Sequence, residues 1–139
     1  GNHAVDAESY AGGVYLSFAD TTQTNLRNCI VYDNTAPNYP DVHVVTTALV
    51  YNCCLKPAGD MDGIASGGNN ITSAPLYAEP GAGNYRLQRL SPCINAGTNQ
   101  TWMAAGYDLD QRPRLDRVCG VVDIGCFEYI PSITCFSVK

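Results

Sequence analysis

Apolar residues in the first half of the chain come in short runs rather than at helical spacing. Gly13-Val-Tyr-Leu, Leu26-Arg-Asn-Cys-Ile-Val-Tyr and Leu49-Val-Tyr-Asn-Cys-Cys-Leu are rich in Val, Ile, Leu and Tyr, and Asn, Asp, Pro or Gly break each run. Such runs read as short strands separated by turns. β-Branched and aromatic side chains suit a pleated surface, whereas Asn, Asp and Gly accept turn geometry. Before Gly97 no segment holds apolar residues at the spacing of a helix face.

The runs also repeat. Placing Asn28 on Asn52 puts Leu26 on Val50 and Cys29 on Cys53, an offset of 24, and Gly13-Val-Tyr-Leu aligns with Asp41-Val-His-Val at an offset of 28. A repeat of that length is what one turn of a β-solenoid requires. Stacked as parallel strands, Leu26 over Val50 fills the interior and Asn28 over Asn52 forms an amide ladder at a bend. Cys29 over Cys53 is expected as a pair of packed free thiols, because in-register parallel strands hold the Cβ atoms farther apart than a relaxed disulfide prefers. Cys54 should point to the face opposite Cys53.

Beyond residue 58 the pattern changes. Gly59 to Asn70 has loop composition. Pro75-Leu-Tyr and Asn84-Tyr-Arg-Leu predict short strands around a Pro80-Gly-Ala-Gly turn. Thr98 or Asn99 would cap one helical turn through Trp102-Met-Ala-Ala, stopped by Gly106. Val121 to Tyr129 alternates as a final strand would. Trp102 is expected to anchor this tail on the core.

Several spaced blocks of the tail carry a resemblance: Asn70-Ile-Thr-Ser-Ala-Pro-Leu-Tyr, Asn84-Tyr-Arg-Leu, Ser91-Pro-Cys-Ile-Asn-Ala-Gly, Asp108-Leu-Asp-Gln-Arg-Pro-Arg and Val122-Asp-Ile-Gly-Cys-Phe-Glu-Tyr. In this order, over roughly residues 69–130, they resemble the choice-of-anchor tail that follows right-handed parallel β-helices in large bacterial surface and secreted proteins. The resemblance implies an all-β fold, the end of a right-handed parallel β-helix with an irregular β-rich C-terminal cap. Residues 1–58 would be the terminal coils, and 59–139 the capping, anchor-like tail packed on them as one structural domain. It also implies an extracellular or bacterial cell-surface location. Gln111 stands where the family has Gly, and the segment from Ile130 to Lys139 departs from the family pattern.

The candidate chemistry is acidic and aromatic. Asp108, Asp110 and Asp123, with Glu128, Arg112 and Arg114, read either as a polar network that fixes an irregular tail or as a calcium site, since hard cations gather loop oxygens. Asp60-Met-Asp62-Gly resembles the start of a calcium loop without its terminal Glu. Tyr15, Tyr32 and Tyr51, together with Tyr39, are candidates for stacking on sugar rings. The seven cysteines are odd in number, and Cys119-x6-Cys126-x8-Cys135 is no zinc pattern. A catalytic thiol needs a histidine partner, and His3 and His43 are the only ones in the chain.

Bulk properties narrow the classes. The length of 139 residues fits one domain, and the chain opens on Gly1 rather than Met, which reads as an excised piece of a longer protein. Net charge is -5 with no basic run, which argues against nucleic acid as a partner. No apolar stretch is long enough to span a bilayer. The reading that follows is a non-catalytic structural cap. Its partners would be upstream β-helix coils and a polysaccharide, with end-to-end self-association through an open coil. The alternative is a C-terminal fragment of a polysaccharide lyase or glycoside hydrolase, with its active site in coils upstream.

Overall fold

The computed structural model describes residues 2–5, 11–17, 24–56, 61–115 and 119–131. The long central strand β4 (Val42–Tyr51) organises the first half. On one side it pairs in parallel with β1 (Val14–Leu16) and β2 (Thr24–Arg27), and on the other with β6 (Met61–Gly68). Val14 lies opposite Val42 and Leu26 opposite Val50, the pairings that the repeated runs predict. A second parallel pair joins β3 (Ile30–Val31) to β5 (Cys54–Leu55). In the tail, β7 (Tyr77–Glu79) and β8 (Asn84–Leu87) form an antiparallel hairpin. A 3-10 turn at Pro80–Ala82 closes it, and Gly83 at φ 75° takes the left-handed position that a side chain would strain.

The chain is strand-rich, as its short apolar runs predict, but the expected end of a right-handed parallel β-helix is not what the structure shows. The strands divide among separate short sheets, parallel and antiparallel, and no closed solenoid forms among the described residues. The reason lies in the spacing. A solenoid needs an even repeat, yet the partner offset falls from 28 at Val14–Val42 to 24 at Leu26–Val50, 19 at Val42–Met61 and 16 at Ala48–Ile64. The β4–β6 pairing absorbs the change through register shifts after His43 and after Val50. β6, which lies beyond residue 58, joins the same sheet as β4.

Two apolar clusters sit back to back. Val31, Val42, Val44, Ala48, Val50, Cys53 and Leu55 form the first, inside the parallel sheets. Cys54, Leu87, Cys93 and Ile124 form the second, between the strands and the tail. Cys53 and Cys54 thus serve opposite faces, as alternation along an extended chain requires.

The corners between strands are asparagines. Asn28 and Asn52 adopt φ 53° and 47°, left-handed values that Asn tolerates better than most residues. They do not form the expected amide ladder with each other. Asn28 instead accepts the Thr98 N–H at 2.8 Å and donates to the Thr98 carbonyl at 2.9 Å, and Asn52 donates to the Ala96 carbonyl at 3.0 Å. Asn70 does span neighbouring segments, accepting from Cys53 N and donating to the Val50 carbonyl. A bent corner presents its amide outward, and the unladdered tail supplies the backbone groups that meet it.

Three tail expectations are corrected. The segment from Val121 to Tyr129 is not a strand. Scattered acceptors, not a neighbouring strand ladder, take its N–H groups: Asp123 N donates to Glu128 Oε2, Glu128 N to Asp108 Oδ2 and Tyr129 N to Asp123 Oδ2, while Val122 N, Ile124 N and Gly125 N donate to Asn99 Oδ1 and to the Cys93 and Asn28 carbonyls. The helical turn is a 3-10 turn, Thr101–Ala105, preceded by Gln100 rather than capped by Thr98 or Asn99. Its anchor is Met103, 3 % exposed, while Trp102 is 59 % exposed with its ring against Gly106.

Candidate functional site

Asp108, Asp123, Glu128 and Arg114 converge on one buried node. Asp108 begins a tight turn in which its Oδ1 accepts the N–H groups of Asp110 and Arg112, both at 2.8 Å. Gln111 takes φ 61° there, the left-handed geometry that explains the glycine of the resembling motif. Asp108 Oδ2 accepts from Glu128 N at 2.9 Å, and Asp123 Oδ1 from Asn95 N at 2.7 Å. The Arg114 guanidinium, 5 % exposed as a residue, donates to the Gly125 carbonyl and lies 3.1 Å from Glu128 Oε1. That approach is an ion pair off the hydrogen-bonding direction, so Oε1 accepts no hydrogen bond.

Glu128 is strongly perturbed. Burial raises its pKa from 4.5 to about 7. The negative neighbours Asp123 and Asp108 add to the rise, while the Asp123 N–H and Arg114 oppose it. Asp110 sits apart on the surface, in a two-pronged pair with Arg86 at 2.7 and 2.5 Å, which holds its carboxyl below the usual range. Arg86 in turn covers the Phe127 ring at 4.8 Å.

The proposed calcium residues are therefore distributed unevenly. Asp108 and Asp123 meet in the node, where backbone N–H groups engage both oxygens of each, and Asp110 faces Arg86. Asp62 lies in β6, in register with His43, and Asp60 lies outside the described residues. Among the described residues no group of three or more His, Cys, Asp or Glu side chains is placed to hold a metal ion.

The tyrosines separate in the same way. Tyr51 is half-buried and covered on two sides: the Arg27 guanidinium lies 4.3 Å from its ring centre, and on the β6 side Gly67 is so close that a Cβ there would collide with the ring. Tyr15 is 54 % exposed and lies opposite His43, ring centres 5.5 Å apart. Tyr39 stacks on the same imidazole at 5.0 Å and 8°. Strand register sets Tyr15 beside His43, and Tyr39 adds its ring from the loop before β4, a Tyr15–His43–Tyr39 row that reading the tyrosines singly did not reveal. Tyr32 instead lines a cleft of about 460 Å³ with Asn2, Asp33, Asn34, Tyr77 and Tyr85. An adjoining, more apolar cleft of about 540 Å³ runs past Ile30, Tyr77 and Tyr85 to Leu109 and Phe127.

No family model, no curated protein and no solved structure matches this chain. Among the described residues no helix is long and apolar enough to cross a membrane.

Proposed function

We propose that this chain is a non-catalytic structural module, an end-piece that pins an irregular tail across short parallel sheets within a larger extracellular assembly. The observation that carries this reading is the use made of the tail carboxylates. Asp108, Asp123 and Glu128 are all buried, and each accepts backbone N–H groups that no sheet satisfies. A hydrolase needs two carboxyls facing one another across a sugar cleft, and a lyase needs a base beside an acidic site. Carboxylates committed to backbone donors supply neither. The extracellular setting rests on the motif resemblance. The partner would be further extended segments of a longer chain, or a second copy end to end. Among the described residues β1 and β2 pair on one side only, with β4. An unpaired strand edge is a template for strand addition.

Incubation with a panel of neutral and acidic polysaccharides, with and without calcium, tests the non-catalytic claim. Reducing ends and unsaturated products should not rise above those of heat-inactivated protein. Turnover that disappears when Asp108 or Asp110 is replaced by Asn, with the fold intact, would overturn it.

One observation favours a second reading, glycan binding without turnover. The Tyr15–His43–Tyr39 row offers contiguous ring surface, and rigid amphipathic rings suit sugar faces. Retardation in affinity electrophoresis that Tyr15→Ala abolishes would support it, and unretarded migration in every polysaccharide would remove it.

A further inference from the structure

The second apolar cluster contains two thiols that no catalytic or scaffold role uses. Cys54, on β5, and Cys93, in the turn after β8, are both 0 % exposed. They pack in the same cluster with Leu87 and Ile124 between strands and tail, near enough that each is the largest influence on the other's ionisation, and the Cys54 thiol donates to the Ser73 carbonyl at 3.3 Å. The backbone on each side is fixed. Cys54 N donates to the Cys29 carbonyl at 2.8 Å and its strand bridges Ile71, while the Cys93 carbonyl accepts Ile124 N at 2.9 Å and Cys93 N donates to Ser91 Oγ at 3.2 Å.

This geometry differs from that of Cys29 and Cys53. Those two stack in parallel register, and each thiol donates to the carbonyl two residues before it, Arg27 and Tyr51. Cys29 N also donates to Cys53 Sγ at 3.4 Å, and parallel register holds these two Cβ atoms farther apart than a relaxed disulfide prefers; the Cys54 thiol likewise has a carbonyl acceptor, that of Ser73, but Cys54 is not stacked on Cys93. Cys54 and Cys93 instead approach from separate segments, across the seam between sheet and tail. A bond between them would close a loop of about 40 residues and tie the tail directly to a strand.

We propose that Cys54 and Cys93 are a disulfide-forming pair, an oxidative staple between β5 and the tail. The co-reactant is a small-molecule disulfide such as oxidised glutathione. The Cys93 thiolate attacks one of its sulfurs, forming a mixed disulfide and releasing one small thiol. Deprotonated Cys54 then attacks Cys93 Sγ, breaking the mixed disulfide and releasing the second thiol. Two protein thiols are oxidised and one small disulfide is reduced to two thiols. Cys93 suits the first attack because its neighbours Cys54 and Ser91 lower its pKa, although burial opposes them.

The full chain, unfolded and reduced, is refolded in glutathione buffers of increasing oxidised fraction. It is then quenched in acid, alkylated in denaturant and mapped by peptide mass spectrometry. The expected product links the Cys54 and Cys93 peptides, lighter by two hydrogens than the reduced pair, with Cys29 and Cys53 alkylated. The oxidised form should melt about 10 °C above the reduced one, a difference that Cys54→Ala and Cys93→Ala each abolish. Both thiols alkylated at every ratio, or Cys93 linked to another cysteine, would overturn the proposal. The wild-type map decides this alone if either variant fails to fold.

Discussion

At the scale of single residues, the buried polar groups give the sharpest expectations. Glu128 binds its proton more tightly in the folded chain than its ordinary pKa of 4.5 allows. Its contribution is therefore fully present below pH 4.5, falls as pH rises towards about 7, and is flat above that. The loss is roughly 3 kcal/mol at most, at 1.36 kcal/mol per pKa unit. Urea unfolding across this range should show that slope, and Glu128→Gln, which keeps an oxygen for Asp123 N, should flatten it. Cys29 gives a second handle. The neighbouring Cys53 thiol lowers its pKa from 9.0 to about 7, although burial pushes the other way. Its labelling by iodoacetamide should rise with a midpoint near pH 7, and Cys53→Ala should move that midpoint upward. These properties were only partly legible. The tail blocks mark Asp108, Asp123, Glu128 and Arg114 as a set. Nothing in the linear order says that Asp110 leaves it for Arg86, or that Glu128 is the carboxyl pushed towards neutrality.

Among elements, the asparagine corners decide how the tail is held. Asn28 exchanges two side-chain hydrogen bonds with Thr98, and its carbonyl accepts Gly125 N at 2.9 Å. Asn28→Ala removes the first two and leaves a residue with a Cβ at φ 53°. The cost should be about 2–3 kcal/mol by chemical denaturation, larger than for Asn52→Ala, which loses the single bond to Ala96. Gly97 tests the other side of the seam. Its N–H donates to the Val122 carbonyl, and a Cβ there would lie 2.8 Å from that oxygen and from Val122 Cγ2. Gly97→Ala must shift the 122–123 backbone, and a loss of about 1–3 kcal/mol is expected in the same experiment. The repeated Asn-Cys pair foretells the stacking of these corners. The tail contact is invisible to it, because Thr98 lies 70 residues from Asn28.

For the whole molecule, the question is whether the acidic tail is a cation site or a scaffold. The scaffold reading predicts that millimolar calcium leaves the melting temperature unchanged within about 1 °C. A ligand bound only by the folded state, at one hundred times its dissociation constant, would stabilise by about 2.7 kcal/mol and move it visibly. Differential scanning fluorimetry with calcium and with a chelator distinguishes the two.

The sequence by itself determined the strand-rich character, the pairing of Leu26 with Val50 and of Val14 with Val42, the β7–β8 hairpin, and the opposite facing of Cys53 and Cys54. Each of these follows from alternation, from a repeated short motif or from turn chemistry, which act over a few residues. Only the tertiary structure decided the separate short sheets, the Tyr15–His43–Tyr39 row, the irregular course of residues 121–129, and the meeting of Cys54 with Cys93. Those depend on how unequal offsets are absorbed along β4 and on which carboxylate reaches which distant N–H. A local pattern does not encode either.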